Sequence, residues 1–272
     1  LGCNRPESMR SAISTTMRSI LHNSAKDILL RQARFFSSGA HDTVGFIGLG
    51  NMGAAMAGNL IKANKKLIVN DMSEEAVSKL CALGAVAAKS PADVASQAST
   101  IVTMLPAGPH VLEVYTGTNG ILSKVQPGAM LIECSTIDPD SARKVASACE
   151  AKGSDFVDAP VSGGTIGAQN ATLTFMVGGE EAAVARAKTV LDLMGQNVVH
   201  CGGAGTGQLA KICNNLVLGI TMAGVSEAFQ LGLQLGIDPK VLATVVNSSS
   251  GRSWSSDTYN PCPGVMEGVP SA

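Results

Sequence analysis

The stretch VGFIGLGNMGAAMAGNLIKAN, Val44 to Asn64, opens with an apolar run, passes through glycines at 48, 50 and 53, and continues in a helix-like pattern. The spacing is G-x-G-x-x-G, with strand character before it and helix character after it, which is the context a dinucleotide-binding turn requires. In such a turn Gly48 permits the tight bend, Gly50 lets the backbone approach a pyrophosphate, and Gly53 allows the helix to pack close on the strand. The free N–H groups and positive dipole end of the helix then face the phosphates. On its own the glycine pattern leaves the chemistry open, since S-adenosylmethionine enzymes use a similar loop.

The next apolar run, LIVND, ends in Asp71, about 20 residues further on, where a carboxylate can bond the ribose hydroxyls. Met72 and Ser73 follow it, so no cation stands there for a 2′-phosphate, and the pattern favours NAD over NADP. A helix cap or turn is the competing role for Asp71. Further out, short apolar runs read as strands at Val44–Leu49, Leu67–Asp71, Ile101–Leu105, Met130–Glu133, Phe156–Ala159 and 172–179. Helical patterns lie between them, near Met52–Ala63, Glu74–Leu83, Ala92–Gln97 and Pro139–Ala151, with another from Glu180 to about Met194. Strands apolar on both faces and separated by helices predict an α/β fold, a Rossmann-type doubly wound, mainly parallel sheet. After the Gly-rich CGGAGTGQ at 201–208 the texture changes, with one long helix over about 206–235 and a second over Pro239–Asn247. The expected organisation is a leader over 1–40, a nucleotide-binding domain over 42–204 and an all-helical domain over 205–272.

The leader reading rests on composition: Arg10, Arg18, Lys26, Arg31 and Arg34 stand among Ser, Thr and Leu with one acid, Asp27. Arg-rich, Ser-rich and acid-poor is the composition of a mitochondrial transit peptide, and Arg34-Phe35-Phe36-Ser37 resembles a matrix-processing step. Matrix localisation is therefore expected, with a disordered basic tail as the competing reading. In the chain as a whole, a net charge of −1 and an aromatic content of 3% exclude a basic, base-stacking nucleic-acid binder. Seven scattered cysteines without C-x-x-C spacing point to reduced thiols and no metal site. No uninterrupted apolar run reaches the ~18 residues of a membrane span.

Two more stretches carry chemistry. DAPVSGG (158–164) places a hydroxyl and exposed backbone N–H groups on a turn after a strand, an arrangement suited to a carboxylate anion. GTGQLAKICNN puts Gly207, Lys211 and Asn215 on one helical face, while Leu209, Ile212, Leu216 and Ile220 form an apolar stripe that reads as core. A Lys in so apolar a helix is costly to bury unless it is used or paired; a snorkelling or salt-bridged Lys is the alternative.

With TMLP and STIDP in the expected order, these stretches resemble the β-hydroxyacid dehydrogenase family over some 230 residues from Val44. The resemblance implies NAD as cofactor, bound by Gly48, Leu49, Gly50, Asn51, Met52, Gly53, Asp71, Leu105, Pro106 and Thr136, with His110 a weaker candidate. It implies Lys211 as general acid/base, Asn215 as an orienting group, and Ser162, Gly163 and Gly164 as the carboxylate site of a small 3-hydroxycarboxylate. It also implies a homodimer or homotetramer through the helical domain, and further helices, one with a Lys-Asp pair, beyond GVPSA; that domain is thus expected to be incomplete. Two other functions compete: an NADPH-dependent reductase of small semialdehydes, and an NAD-binding protein without a completed site.

Overall fold

A computed structural model describes residues 43–269; the leader expected over 1–40 lies outside the described residues. The chain runs β1 (Thr43–Ile47), α1 (Asn51–Lys62), β2 (Lys66–Asn70), α2 (Glu74–Ala82), β3 (Val86–Ala87), α3 (Pro91–Ala95), β4 (Thr100–Thr103) and α4 (Gly108–Thr116). It continues through β5 (Met130–Glu133), α5 (Pro139–Glu150), β6 (Asp155–Asp158), β7 (Val161–Ser162), α6 (Gly164–Gln169), β8 (Leu173–Gly178), α7 (Glu181–Leu191) and β9 (Gly195–Gly202). The last elements are helical: α8 (Thr206–Gln234), α9 (Pro239–Asn247) and α10 (Trp254–Asp257).

The nine-stranded sheet has the order β3-β2-β1-β4-β5-β6-β8-β7, with β9 on β8. Strands β1 to β6 are parallel where they pair, β8 is antiparallel to β6 and β7, and β9 is parallel to β8. This is the doubly wound arrangement expected from the apolar runs, and the order in which strands are added reverses between β1 and β4, which are parallel neighbours. A crevice at such a switch point is where this architecture binds nucleotides. Alternate strand residues feed the two faces. Val44, Phe46, Val69, Val102 and Ile132 pack on one side, Ile47, Ile68, Ile101 and Leu131 on the other. The six cysteines among the described residues are free thiols.

The short elements β3, β7, α6 and α10 were not expected, and three larger differences stand beside them. The segment GQNVVHCG forms β9, a strand whose polar, exposed residues hid its pairing. The segment GPHVLEVYT forms α4 where only a connection was expected; its Pro sits in the first turn, where the missing N–H is harmless. The third difference is a correction: Leu209, Ile212, Leu216 and Ile220 are not core. They are 43, 44, 62 and 64% exposed. The 3.6-residue period correctly marks an apolar face, but periodicity says nothing about what covers it. Among the described residues α9 packs instead against Val225 and Phe229, and α10 meets α8 where the Ser255 and Thr221 hydroxyls lie 3.1 Å apart. By length and composition α8 is long and apolar enough to cross a membrane, although polar residues interrupt its apolar run.

Candidate active site

The loop after β1 is built as its glycines predict. Gly48 has φ 93°, in the left-handed region open to glycine, and a side chain there would strike the Met104 carbonyl at the end of β4. A Cβ on Gly53 would collide with the carbonyl oxygen of Gly48, so this residue sets how closely α1 approaches the loop. The space around Gly50 is open. No side chain caps the N-terminus of α1 and no acid lies in its first turn. Its free N–H groups therefore present a positive end suited to a diphosphate.

Asp71 lies just past β2. Its Oδ2 accepts the Leu49 N–H at 2.6 Å and its Oδ1 accepts the Ser73 N–H at 2.7 Å. The carboxylate thus ties the glycine loop to the end of β2, and Ser73 rather than Asp71 caps α2. A cleft of about 700 Å³ opens here, lined by Gly48 to Gly53, Asp71, Met72, Leu105, Pro106 and His110. Its size lies within the range of nucleotide and cofactor sites. Met72 is fully exposed at its rim, where a 2′-phosphate would need a cation. Thr136 is exposed on the loop after β5 and does not line this cleft.

The remaining candidates lie on other elements. Ser162 ends β7 and is half-buried; Gly163 (φ 132°) and Gly164 (φ 61°) lead into α6. Along α8 Gly207 is buried, Lys211 half-buried and Asn215 exposed, as the helix leaves the sheet. Lys211 has no hydrogen-bonded or ionic partner among the described residues, and burial holds its ammonium below the usual lysine range. A half-desolvated, unpaired amine gives up its proton more readily than a solvated lysine.

Four buried polar residues beneath these loops were not picked out from the sequence. Asp158, at the end of β6, accepts the Gly205 N–H at 2.6 Å and the Gln208 N–H at 3.0 Å, and so holds the start of α8 on the sheet. Burial pushes its carboxyl up, against the pull of those two N–H groups. Glu133, beside it at the end of β5, accepts the Ser135 N–H at 2.6 Å and a hydrogen bond from the Thr103 hydroxyl. Its carboxyl is lifted to about 7, mainly by burial. The Ser135 hydroxyl accepts the Leu105 N–H at 2.7 Å. Gln208 donates to the Ser135 carbonyl at 2.8 Å and accepts the Ile137 N–H at 3.0 Å. Asp158, Ser135 and Gln208 lie inside the stretches DAPVSGG, STIDP and GTGQLAKICNN quoted above, and Glu133 carries the signal of an acid at the end of an apolar run.

A doubly wound sheet with a glycine loop at its switch point and a carboxylate beyond β2 is the architecture of a dinucleotide-binding domain. Comparison with known proteins agrees. Residues 43–203 match the family described as the NAD binding domain of 6-phosphogluconate dehydrogenase. Residues 205–267 match the one described as NAD-binding of NADP-dependent 3-hydroxyisobutyrate dehydrogenase. A relative from Dictyostelium discoideum, named probable 3-hydroxyisobutyrate dehydrogenase, mitochondrial, is 55% identical over 253 residues, 93% of this chain and 79% of the relative. The Homo sapiens 3-hydroxyisobutyrate dehydrogenase, mitochondrial, is 55% identical over 84% of this chain and 68% of its own length. Among solved structures, the Mycobacterium tuberculosis 3-hydroxyisobutyrate dehydrogenase with L-serine superposes with a TM-score of 0.80 at 40% identity, covering 85% of this chain and 78% of that one. The chain belongs to the β-hydroxyacid dehydrogenase family and is an NAD-binding dehydrogenase.

Proposed function

We propose that the chain oxidises 3-hydroxyisobutyrate to methylmalonate semialdehyde in valine breakdown, in the mitochondrial matrix, with Lys211 as general acid/base. The half-buried Lys211 without a counter-ion carries this reading, because it is an amine held ready for proton transfer on a helix bonded to the sheet. NAD, when bound, supplies the hydride acceptor. The residues of the cleft suit it: Gly48, Leu49, Gly50, Asn51, Met52 and Gly53 around its diphosphate, Asp71 at the ribose, Leu105 and Pro106 along the wall. Thr136 belongs to this set through its loop, which is bonded to Leu105 by way of Ser135.

Ser162, Gly163 and Gly164 bind the substrate carboxylate through the Ser162 hydroxyl and backbone N–H groups, and Asn215 orients the hydroxyl. As the carbinol carbon gives up hydride, its hydroxyl proton passes to the Lys211 Nζ, leaving a C=O. The nucleotide-binding domain spans 42–204 and the substrate and dimerisation domain 205–272. The exposed apolar face of α8 supports a homodimer or homotetramer. The names of the mitochondrial relatives and the composition of residues 1–40 support the location.

The test is NADH formation from NAD and 3-hydroxyisobutyrate, followed by absorbance. Lys211→Ala should lower turnover by about 10²–10⁴-fold while leaving NAD affinity nearly unchanged. Wild-type turnover in that variant removes Lys211 from the mechanism.

A further inference from the structure

We propose that Gln208 is the positioning residue that keeps the cofactor wall and Lys211 in register; this rests on the role given to Lys211 above. Gln208 is completely buried, and both its Nε2 and its Oε1 bond to groups outside its own helix. Its Nε2 donates to the Ser135 carbonyl at 2.8 Å and its Oε1 accepts the Ile137 N–H at 3.0 Å. One carboxamide therefore clamps the peptide groups on either side of Thr136. Ser135 in turn accepts the Leu105 N–H at 2.7 Å, so two hydrogen bonds lead from the cleft wall to Gln208. The backbone N–H of Gln208 is itself held by Asp158 at 3.0 Å.

Lys211 follows three residues later on the same helix, one turn away and on the same side. An α-helical turn is stiff, so a shift of the 135–137 loop relative to Gln208 becomes a shift relative to the Lys211 amine. A purely structural glutamine could have satisfied its amide anywhere. This one bridges the loop bonded to the cleft wall and the helix bearing the proton-transfer group. Displacement by about 1 Å of groups that must meet can cost about 10²-fold in rate.

The experiment compares the full chain with Gln208→Met, which keeps side-chain length and apolar bulk but removes both bonds. Hydrogen exchange is followed with and without NADH. In the wild type, NADH should slow exchange in the 135–137 loop and in the first turn of α8; in Gln208→Met the protection of α8 should be lost. Turnover of the variant should fall about 10- to 100-fold with the KM for NAD within about threefold, the split expected of a misplaced reacting group. Equal protection of α8 in both proteins, or none in the wild type, overturns the proposal. A chain that binds NADH but does not turn over 3-hydroxyisobutyrate refutes the substrate reading, and the exchange result still decides the role of Gln208.

Should Gln208→Met fail to fold, Gln208→Glu gives the same information through pH. Its carboxylic acid can donate to the Ser135 carbonyl, whereas its carboxylate faces that oxygen without a proton. Coupling of NADH to α8 should therefore survive at low pH and disappear as pH rises, beyond any change that the titration of Glu133 and Asp158 causes in the wild type over the same range. Coupling independent of pH in that variant overturns the proposal.

Discussion

Replacing Glu133 by glutamine should make the protein more tolerant of alkaline conditions, although it removes a charge beside the cofactor loop. Glu133 is fully buried at the end of β5, and burial lifts its carboxyl from an ordinary 4.5 to about 7. An acid whose folded value lies above its unfolded value contributes stability that is complete below the lower value. That contribution disappears as pH rises through the higher one. At about 1.4 kcal/mol per pH unit, the gap between 4.5 and about 7 corresponds to about 3 kcal/mol.

Glutamine has the same shape and can keep every bond. Its carbonyl accepts the Ser135 N–H, and its amide donates to the Thr103 hydroxyl. The Thr103 proton then turns to the Ile132 carbonyl, 3.4 Å away, and Tyr115 donates to Thr103 across 3.0 Å. Urea unfolding of both proteins, followed by circular dichroism between about pH 4.5 and pH 8.5, reads the difference directly. The stability of the wild type relative to Glu133→Gln should fall by about 3 kcal/mol across that range. Parallel curves would show that Glu133 ionises alike in the folded and unfolded chain, and would refute the argument.

Two further outcomes follow from the site. Gly53→Ala forces α1 away from the Gly48 carbonyl, an overpacking worth about 1–3 kcal/mol, so titration with NADH should show affinity reduced by about tenfold or more. An unchanged affinity would mean that the loop accommodates the methyl group without moving. The rate of hydroxyacid oxidation should rise with pH along a limb set by Lys211, because the neutral amine accepts the proton and burial lowers its pKa from 10.5. A pH profile with no such limb in the wild type, or with the same limb in Lys211→Ala, would assign it to another group.

What the sequence shows of this fold is what local pattern can carry. Strands buried on both faces announce themselves as unbroken apolar runs, so β1, β5 and β8 are placed within a residue or two. The helix expected over about 206–235 is α8 at Thr206–Gln234, because no Gly or Pro signal interrupts its pattern decisively. Gly48 and Gly53 are legible because the turn admits no side chain at either position. The strand β9 was hidden because its residues alternate with polar, exposed ones.

The buried polar layer was illegible for a different reason. Glu133, Asp158 and Gln208 are unremarkable residues at the ends of runs, and their meaning lies in partners elsewhere in the chain. Gln208 reaches back 73 residues to Ser135 and 50 to Asp158. The apolar stripe of α8 marks the opposite limit: pattern identified the face correctly, but not whether anything lies against it.

The attachment of α8 also bears on the order of events during synthesis. Gly205 and Gln208 bond to residues made 47 to 73 positions earlier. A ribosome must therefore deliver residue 208 before the carboxylate at the end of β6 and the loop after β5 acquire the partners that hold them. Until then an emerging chain can pair β1, β2, β4 and β5 and form the glycine turn, yet it carries Asp158 and the Ser135 and Ile137 peptide groups unsatisfied. Domains fold largely as they emerge, and long-range closures come late. The nucleotide turn is thus available early, whereas Lys211 comes into register only once Gly205 and Gln208 have closed on the sheet.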